Sequence, residues 1–235
     1  MTSPPPIARV AAVVPARNED GLLGACLDHL RAAMDVLERS SPRCSAGVTV
    51  VLDGCTDGSA AIAAEAAARD SRIGVLAVDH GCVGAARAAG AAAALRGAAD
   101  PGTVWMACTD ADTRVPSHWL RTMVALADAG ADAVLGTVEP DADDVGAPRH
   151  ASWRARHVLA DGHGHIHGAN LGVRASAYLA AGGFAPLPVH EDVRLVEELR
   201  ACGARVVASG RLHAVTSGRL DGRAPGGFSD YLLNL

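Results

Sequence analysis

Near the start of the chain, residues 10–20 read VAAVVPARNED. The apolar run Val10–Val14 is rich in valine, which favours a buried β-strand, and Pro15 ends the run. Residues 16–20 are mostly polar and predict a loop. Apolar side chains at helical spacing then predict an amphipathic helix over Leu22–Leu37. The stretch therefore begins a repeating strand, loop and helix pattern.

The same alternation continues along the chain. A second strand, Val48–Leu52, is followed by an Ala-rich helix that ends near Arg69. Further elements are predicted over 74–78, 83–95, 104–108, 118–129, 133–137, 152–159, 166–173, 176–181, 191–202 and 205–208. This order indicates an α/β fold with a mainly parallel, twisted sheet and helices on both faces. Ligands of such folds bind in loops beyond the carboxyl ends of the strands.

Composition narrows the class of protein. A chain of 235 residues predicts one domain with a well-buried core. Its formal charge of -5, with acids and bases interspersed, indicates no basic face for nucleic acid. No run of about 18 apolar residues is present, so no integral membrane segment is expected. Six scattered cysteines without a CxxC pair or a secretory signal predict buried thiols in a reducing cytoplasm.

Two aspartates one residue apart follow the predicted strand over 104–108. They are Asp110 and Asp112, in the segment TDADT. Carboxylate oxygens suit Mg²⁺ or Mn²⁺, which bind one or two such groups together with the oxygens of a diphosphate. The alternative is a solvated turn whose aspartates cap the next helix. The pair alone does not decide between these two interpretations.

Six segments occur together in one order and spacing. They read VVPARNE, VVLDGCTDGS, GAARAAG, TDADT, HGANLGVRASAYLAAGGF and HEDVRL. With them the chain resembles an inverting family-2 glycosyltransferase of the Rossmann-like GT-A fold, from about Val10 to Arg219. The resemblance implies a nucleotide-sugar-binding half over residues 1–112. It also implies an acceptor-binding half over 113–235, with a smaller mixed sheet.

The resemblance assigns nucleotide contacts to the first two strand ends. It implies that Pro15, Ala16, Asn18 and Glu19 line the nucleotide pocket. It also implies that Asp53 contacts the base. The family's usual double aspartate is Leu-Asp here, which leaves one carboxylate at that position.

The same resemblance assigns residues to the diphosphate and its cation. Arg87 would approach the diphosphate, because arginine binds phosphate through two parallel hydrogen bonds. Asp110, Ala111 and Asp112 would bind the sugar nucleotide and Mn²⁺ or Mg²⁺, with Asp112 as the direct metal ligand and Asp110 assisting. His213 is a candidate third ligand, and a structural histidine is the alternative.

On the acceptor side, Asp192 resembles the family's catalytic base. A positioned carboxylate can take the proton that an acceptor hydroxyl loses as it attacks. Capping of the following helix is the alternative role, because carboxylates favour helix N-termini. Gly168, Asn170 and Glu191 are assigned to the acceptor side of the cleft.

Two further segments border the predicted cleft. Ser217–Arg219, with Arg223 beyond, resembles a late segment that closes over the diphosphate. A His-rich segment fits no defined zinc spacing and is interpreted as a loop lining the acceptor cleft. Its histidines are His157, His163, His165 and His167.

These residues predict an enzyme that transfers a sugar from a nucleotide sugar to an acceptor hydroxyl. A UDP-sugar is the first choice of donor and a GDP-sugar the second. The acceptor is a small molecule, a lipid or a glycan, and the Gln-x-x-Arg-Trp signature of processive enzymes is absent. The alternatives are a catalytically inactive nucleotide-sugar-binding domain and a nucleotidyltransferase.

Overall fold

The computed structural model describes residues 4–222 and 227–235. Eight strands are present in these residues. They are β1 (Arg9–Ala16), β2 (Ser45–Asp53), β3 (Ile73–Val78), β4 (Val104–Cys108), β5 (Thr113–Arg114), β6 (Ala133–Pro140), β7 (Leu171–Arg174) and β8 (Val206–Thr216). All eight form one sheet in the order β3-β2-β1-β4-β7-β6-β8-β5.

Helices connect the strands. They are α1 (Leu23–Ser40), α2 (Ser59–Arg69), α3 (Val83–Leu95), α4 (Trp119–Asp128), α5 (Ala142–Val145), α6 (Ala147–Arg156), α7 (Ala175–Ala180), α8 (Glu191–Ala201) and α9 (Phe228–Leu233). Short 3-10 turns lie at Pro101–Thr103 and Gly168–Asn170. Within the described ranges, no helix has both the length and the apolar character that a membrane crossing requires.

The alternation of side chains along β1 explains why helices cover both faces of the sheet. Val10, Ala12 and Val14 belong to a core that also contains the apolar faces of α1 and α4. Val13 belongs to the opposite core, with side chains of α3, α7 and α8. Strands buried on both faces are continuously apolar, as β1 and β4 are. The predicted α/β fold with helices on both faces is confirmed.

Strand directions place the loops after β1, β2 and β4 side by side. β3, β2, β1 and β4 are parallel, and β1 lies between β2 and β4. Pairing of Ala16 with Leu52 and of Val13 with Cys108 brings the carboxyl ends of these strands to one edge. The loops that begin at residues 17, 54 and 109 therefore meet there.

The other half of the sheet is mixed and continuous with the parallel half. β7 is antiparallel to both β4 and β6, whereas β6 and β8 are parallel. β8 extends to Thr216, although the sequence predicted a strand that ends at Ala208. Ser209 and Gly210 interrupt the apolar pattern there, and both donate hydrogen bonds to Asp161 Oδ1, each at 2.9 Å. The short elements β5, α5 and α9 were not predicted.

The helix predicted over 152–159 begins earlier, at Ala147, and ends at Arg156. Gly146, with φ of 76°, and Pro148 in the first turn set this start. His157 consequently lies after the helix rather than within it, where its ring is free to stack on neighbours.

Candidate active site

A cavity of about 810 Å³ opens at the carboxyl ends of β1, β2 and β4. Small-molecule sites commonly occupy about 300–1,000 Å³, so this volume suits a ligand of that class. Of the residues predicted for the site, all line the cavity except Asn18, Asn170 and His213. The structure therefore brings together predicted residues as far apart in the sequence as Pro15 and Asp192.

We call the part of the cavity predicted to bind the donor the donor side, and the part predicted to bind the acceptor the acceptor side. At the donor side, an ion-pair network joins three segments. Arg219 donates to both carboxylate oxygens of Glu19, at 2.6 and 2.7 Å. The same guanidinium lies 2.9 Å from Asp112 Oδ2. Asp112 Oδ1 accepts a hydrogen bond from Thr216 Oγ1 at 3.2 Å. The late segment that contains Arg219 thus closes over the Asp112 end of the cavity, while Arg223 lies outside the described residues.

The side chain of Asp112 is largely buried. Burial, and then the neighbouring charge of Asp110, raises the pKa of Asp112 to about 6. Asp110 is more exposed, with 36% of its side chain accessible, and pairs with Arg87. Two neighbouring hard carboxylates fit the chemistry of a Mg²⁺ or Mn²⁺ ligand pair. Within residues 4–222 and 227–235, no group of three metal-ligating side chains converges.

Arg87 occupies the floor of the cavity between the donor and acceptor sides. It pairs with Asp110, donates from Nε to Glu191 Oε1 at 2.9 Å, and donates from Nη1 to the carbonyl of Gly168 at 3.1 Å. Its side chain is only 2% exposed. Burial alone would lower the pKa of Arg87, but Asp110 and Glu191 hold it above its ordinary value.

Gly168 is glycine for a steric reason at this site. A Cβ there would lie 2.6 Å from Nη2 of Arg87, closer than side-chain atoms approach. The guanidinium therefore passes directly beneath the backbone that begins the acceptor side.

Asp192 lies on that acceptor side, in the first turn of α8. Its Oδ2 accepts the backbone N–H of Gly168 at 2.5 Å, and its Oδ1 accepts the N–H of Val193 at 2.7 Å. His190 precedes the helix with φ of 62°, a left-handed conformation that is uncommon outside glycine. This turn directs Glu191 towards Arg87 while Asp192 faces Gly168, so both acids have defined partners.

Asp53 has a clear structural role at the end of β2. Its carboxylate accepts backbone N–H groups from His80, Gly81 and Cys82, at 2.6, 3.0 and 3.1 Å. Burial would raise the pKa of Asp53, but these three donors outweigh it and hold the pKa below its usual range. The side chain fixes the loop after β3 and also lines the cavity.

The residues after β1 differ in their placement. Pro15, Ala16 and Glu19 line the cavity. Asn18 does not, because its Oδ1 accepts the backbone N–H of Thr56 at 2.7 Å and so ties the loop after β1 to the loop after β2. Its φ of 56° is one that asparagine tolerates better than most residues.

Besides Asn18, two further predicted residues lie outside the cavity wall. Asn170 is fully buried, accepts from Trp119 Nε1 at 2.8 Å, and donates to the carbonyls of Thr137 and Leu212. His213 Nε2 lies 2.6 Å from Glu139, and its Nδ1 lies 3.0 Å from Thr137 Oγ1. Both ring nitrogens of His213 thus contact protein groups, which corresponds to the structural alternative for this histidine.

Other cavity residues were not assigned from the sequence. They include Phe228 and Tyr231 of α9 on the acceptor side. His157 and His167 of the His-rich segment also line the cavity. Nothing local marks Phe228 or Tyr231, and only the tertiary fold brings α9 to this wall.

Comparison with solved structures identifies this architecture as the GT-A fold. S. aureus TarS 1-349 aligns with a TM-score of 0.64 at 14% identity, over 90% of this chain and 61% of TarS. The mannosyltransferase PcManGT from Pyrobaculum calidifontis, solved with GDP-Man and Mn²⁺, aligns with a TM-score of 0.63 at 22% identity, over 98% and 70%. At these identities the likeness establishes the fold, and the chain spans 61% of the TarS structure.

A third structure has a similar architecture. Glucosyl-3-phosphoglycerate synthase from Mycobacterium tuberculosis, in complex with Mn²⁺, UDP and glucosyl-3-phosphoglycerate, aligns with a TM-score of 0.56 at 14% identity, over 96% of this chain and 77% of the synthase. No curated protein matches the sequence significantly. The protein-family model described as Glycosyl transferase family 2 matches residues 11–178, well over half of the chain. The predicted resemblance is confirmed, and the chain belongs to glycosyl transferase family 2.

Proposed function

We propose that this glycosyltransferase moves a sugar from a nucleoside-diphosphate donor to an acceptor hydroxyl, with inversion at the anomeric carbon and with the help of a divalent cation. One observation carries the proposal: Asp110 and Asp112 line the same cavity as Asp192 and are linked to its segment through Arg87 and Gly168. A pair of acids beside a strand end and a third acid across the cavity supply the two functions that such a displacement needs.

Asp112 and Asp110 are proposed to hold Mn²⁺ or Mg²⁺. Such an ion supplies charge that stabilises a departing diphosphate, and it commonly binds one or two carboxylates together with phosphate oxygens. PcManGT and glucosyl-3-phosphoglycerate synthase were solved with Mn²⁺, which supports this choice. Arg219, which pairs with Asp112 in the protein alone, is close enough to add a second positive charge.

The donor is proposed to be a UDP-sugar, with a GDP-sugar as the second choice. PcManGT was solved with GDP-Man, and glucosyl-3-phosphoglycerate synthase was solved with UDP. Pro15, Ala16 and Glu19 would border the nucleotide, and Asp53 would approach its base. Asn18 would act by holding the loop, since its side-chain oxygen already binds Thr56.

Asp192 is proposed to act as the general base. As the acceptor oxygen forms its bond to the anomeric carbon, the bond from that carbon to the diphosphate oxygen breaks and Asp192 takes the hydroxyl proton. One displacement inverts the configuration. Glu191 and Arg87 would hold the acceptor side in place rather than react, because their charged groups bind each other.

The division into a donor half, 1–112, and an acceptor half, 113–235, stays a proposal and agrees with the placement of these groups. A cytoplasmic location is also proposed. All six cysteines are free, which suits a reducing compartment.

Donor turnover tests this function. UDP- and GDP-hexoses are incubated with Mn²⁺ and the full chain, and the anomer formed first is recorded by NMR with water or alcohols as acceptors. We expect an inverted product from the wild type and loss of turnover in Asp192→Asn. Retained configuration or full turnover by Asp192→Asn would contradict the mechanism, and pyrophosphate release from a nucleoside triphosphate and a sugar phosphate would indicate a nucleotidyltransferase instead.

A further inference from the structure

Aromatic and imidazole rings are concentrated on one side of the cavity. The chain has only seven Phe, Trp and Tyr residues and ten histidines. Three of the former and four of the latter form one connected group of rings. We call this group the ring wall; it consists of Trp153, His157, His163, His165, His167, Phe228 and Tyr231.

The imidazoles of the ring wall stack on one another. His157 lies on Trp153 with ring centroids 4.0 Å apart and planes 7° from parallel. His165 follows at 5.1 Å from His157, and it stacks between His163 and His167 at 5.6 and 6.0 Å. Alternate residues of the segment 163–167 therefore present their rings side by side. Trp153 is fully buried and anchors the stack to α6.

Helix α9 completes the ring wall from a distant part of the chain. Phe228 meets His167 edge-on at 6.4 Å, and Tyr231 meets His157 edge-on at 5.5 Å. These four rings all line the cavity. Tyr231 is 41% exposed, which is unusual for a large aromatic side chain that packs against other rings.

The ring wall leads directly to the proposed base. His167 is followed by Gly168, whose backbone N–H donates to Asp192 at 2.5 Å. Asp112 and Arg219 lie on the donor side of the same cavity. A molecule lying on the rings would therefore place a hydroxyl beside Asp192 and leave the donor side open.

Charge on the ring wall is low. Burial, and then the neighbouring imidazoles, lowers the pKa of His167 to about 4, and burial also lowers the pKa of His163 and His165. Around the stack, Arg154 is paired with Glu139 and Arg156 donates to the carbonyl of Leu235. Among the described residues that line the cavity, the arginines are Arg17, Arg87 and Arg219.

Some hydrogen-bonding groups of the ring-wall histidines already contact other protein groups. His157 Nδ1 lies 2.7 Å from the carbonyl of Trp153, and His163 Nδ1 accepts the N–H of His165 at 3.2 Å. An anionic acceptor requires cations, and the partly used hydrogen-bonding groups leave fewer partners for the several hydroxyls of a sugar. The flat rings favour another aromatic ring, through offset or edge-on contacts.

We infer that the ring wall is the acceptor subsite and that it binds a neutral acceptor with a planar aromatic ring next to its reactive hydroxyl. This inference rests on the proposed function, since it takes Asp192 as the base that receives the hydroxyl proton.

Binding of three probes tests the subsite. 2-Naphthol, methyl α-D-glucoside and 3-phosphoglycerate are titrated by ligand-observed NMR into the full chain with UDP or GDP and Mn²⁺. We expect 2-naphthol to bind in preference to the others. We also expect Phe228→Ala and His167→Ala to raise its Kd at least about tenfold, equivalent to about 1.4 kcal/mol. His167→Phe, which keeps a ring, should restore much of the affinity.

Matched controls separate the possible causes. His118→Ala removes an imidazole outside the cavity lining and should leave 2-naphthol binding unchanged, while thermal melting shows whether each variant folds. Equal 2-naphthol binding by the wild type and the ring-wall variants, or preferential binding of the glucoside or of phosphoglycerate, overturns the subsite. If neither UDP nor GDP binds the wild type in parallel calorimetry, the proposed function fails and the acceptor subsite fails with it.

Discussion

Arg87 joins two carboxylates inside the protein. Asp110 comes from the loop after β4 and Glu191 from the start of α8, so the guanidinium connects the donor side to the acceptor side. A buried charge that loses its partner is costly, because the remaining charge stays away from water. Arg87 therefore stabilises both the fold and the arrangement of the site.

Replacing Arg87 tests this role. Arg87→Ala should lower the free energy of unfolding by about 3–5 kcal/mol, because Glu191 would remain buried without its partner. Urea unfolding measures the change. The control is Arg69→Ala, which removes an exposed pair with Glu65 and should cost less than about 1 kcal/mol. Equal losses in the two variants would contradict a structural role for the buried pair.

Asp53 gives a prediction about pH. Its pKa is depressed in the folded protein by three backbone donors, so its contribution to stability is complete above the unfolded value of about 3.9. That contribution is lost as the pH falls through the folded pKa. Asp53→Asn should be less stable than the wild type by about 1–3 kcal/mol at pH 7, with a smaller difference near pH 3.

The measurement is urea unfolding at pH 7, 5 and 3. Asp28→Asn serves as the control, because Asp28 is 68% exposed and pairs with its exposed neighbour Arg31. A difference between the wild type and Asp53→Asn that stays constant or grows towards low pH would contradict the depressed pKa.

Helix α3 lies unusually close to the sheet. A Cβ on Gly90 would come within 2.5 Å of Val13 and 2.7 Å of Val51, so the helix packs there through bare backbone. This close packing brings Arg87, one turn earlier, under the cavity. The small residues of α3 thus allow the helix to pack closely against the sheet.

Gly90→Ala should therefore destabilise the protein by about 1–3 kcal/mol through overpacking, even though alanine is the better helix former. Gly24→Ala in α1 is the matched control, because the nearest atom to its new Cβ would be Ile62 at 4.0 Å. That control should gain up to about 1 kcal/mol. Thermal or urea unfolding of both variants distinguishes close packing from helix propensity, and a stabilised Gly90→Ala would show that the helix has room to move.

Sequence patterns predicted the elements of the first half well, because each strand and helix there carries its own apolar period. They predicted the second half less well. The polar residues Ser209 and Gly210 within β8 resemble a loop, and the two-residue β5 is too short to show a period. Cavity residues in the loops that follow apolar strands could be predicted from the same patterns.

The contacts that each of these side chains makes could not be predicted in this way. Arg87 was identified as a cationic site residue, yet its contacts with Asp110 and Glu191 span 23 and 104 positions. Asn170 resembles a cleft residue by its motif, but its amide supports Trp119 from within the core. The ring wall joins α6, the His-rich loop and α9, and only the folded chain shows that their rings meet.

Across the whole molecule, one continuous sheet runs from the donor side to the acceptor side. β4 is the central strand that pairs with parallel β1 and with antiparallel β7, and the segment Asp110–Asp112 follows its end. Asp192 lies across the cavity at the start of α8. This geometry separates the group proposed to bind the cation and diphosphate from the group proposed to take the proton.

A calorimetric titration tests this separation of roles. UDP and GDP are titrated, with and without Mn²⁺, into the wild type, Asp112→Asn and Asp192→Asn. The proposed mechanism predicts Mn²⁺-dependent binding of one nucleotide, similar in the wild type and Asp192→Asn and at least about tenfold weaker in Asp112→Asn, equivalent to about 1.4 kcal/mol. Equal affinity in all three proteins, or binding that does not depend on Mn²⁺, would contradict it.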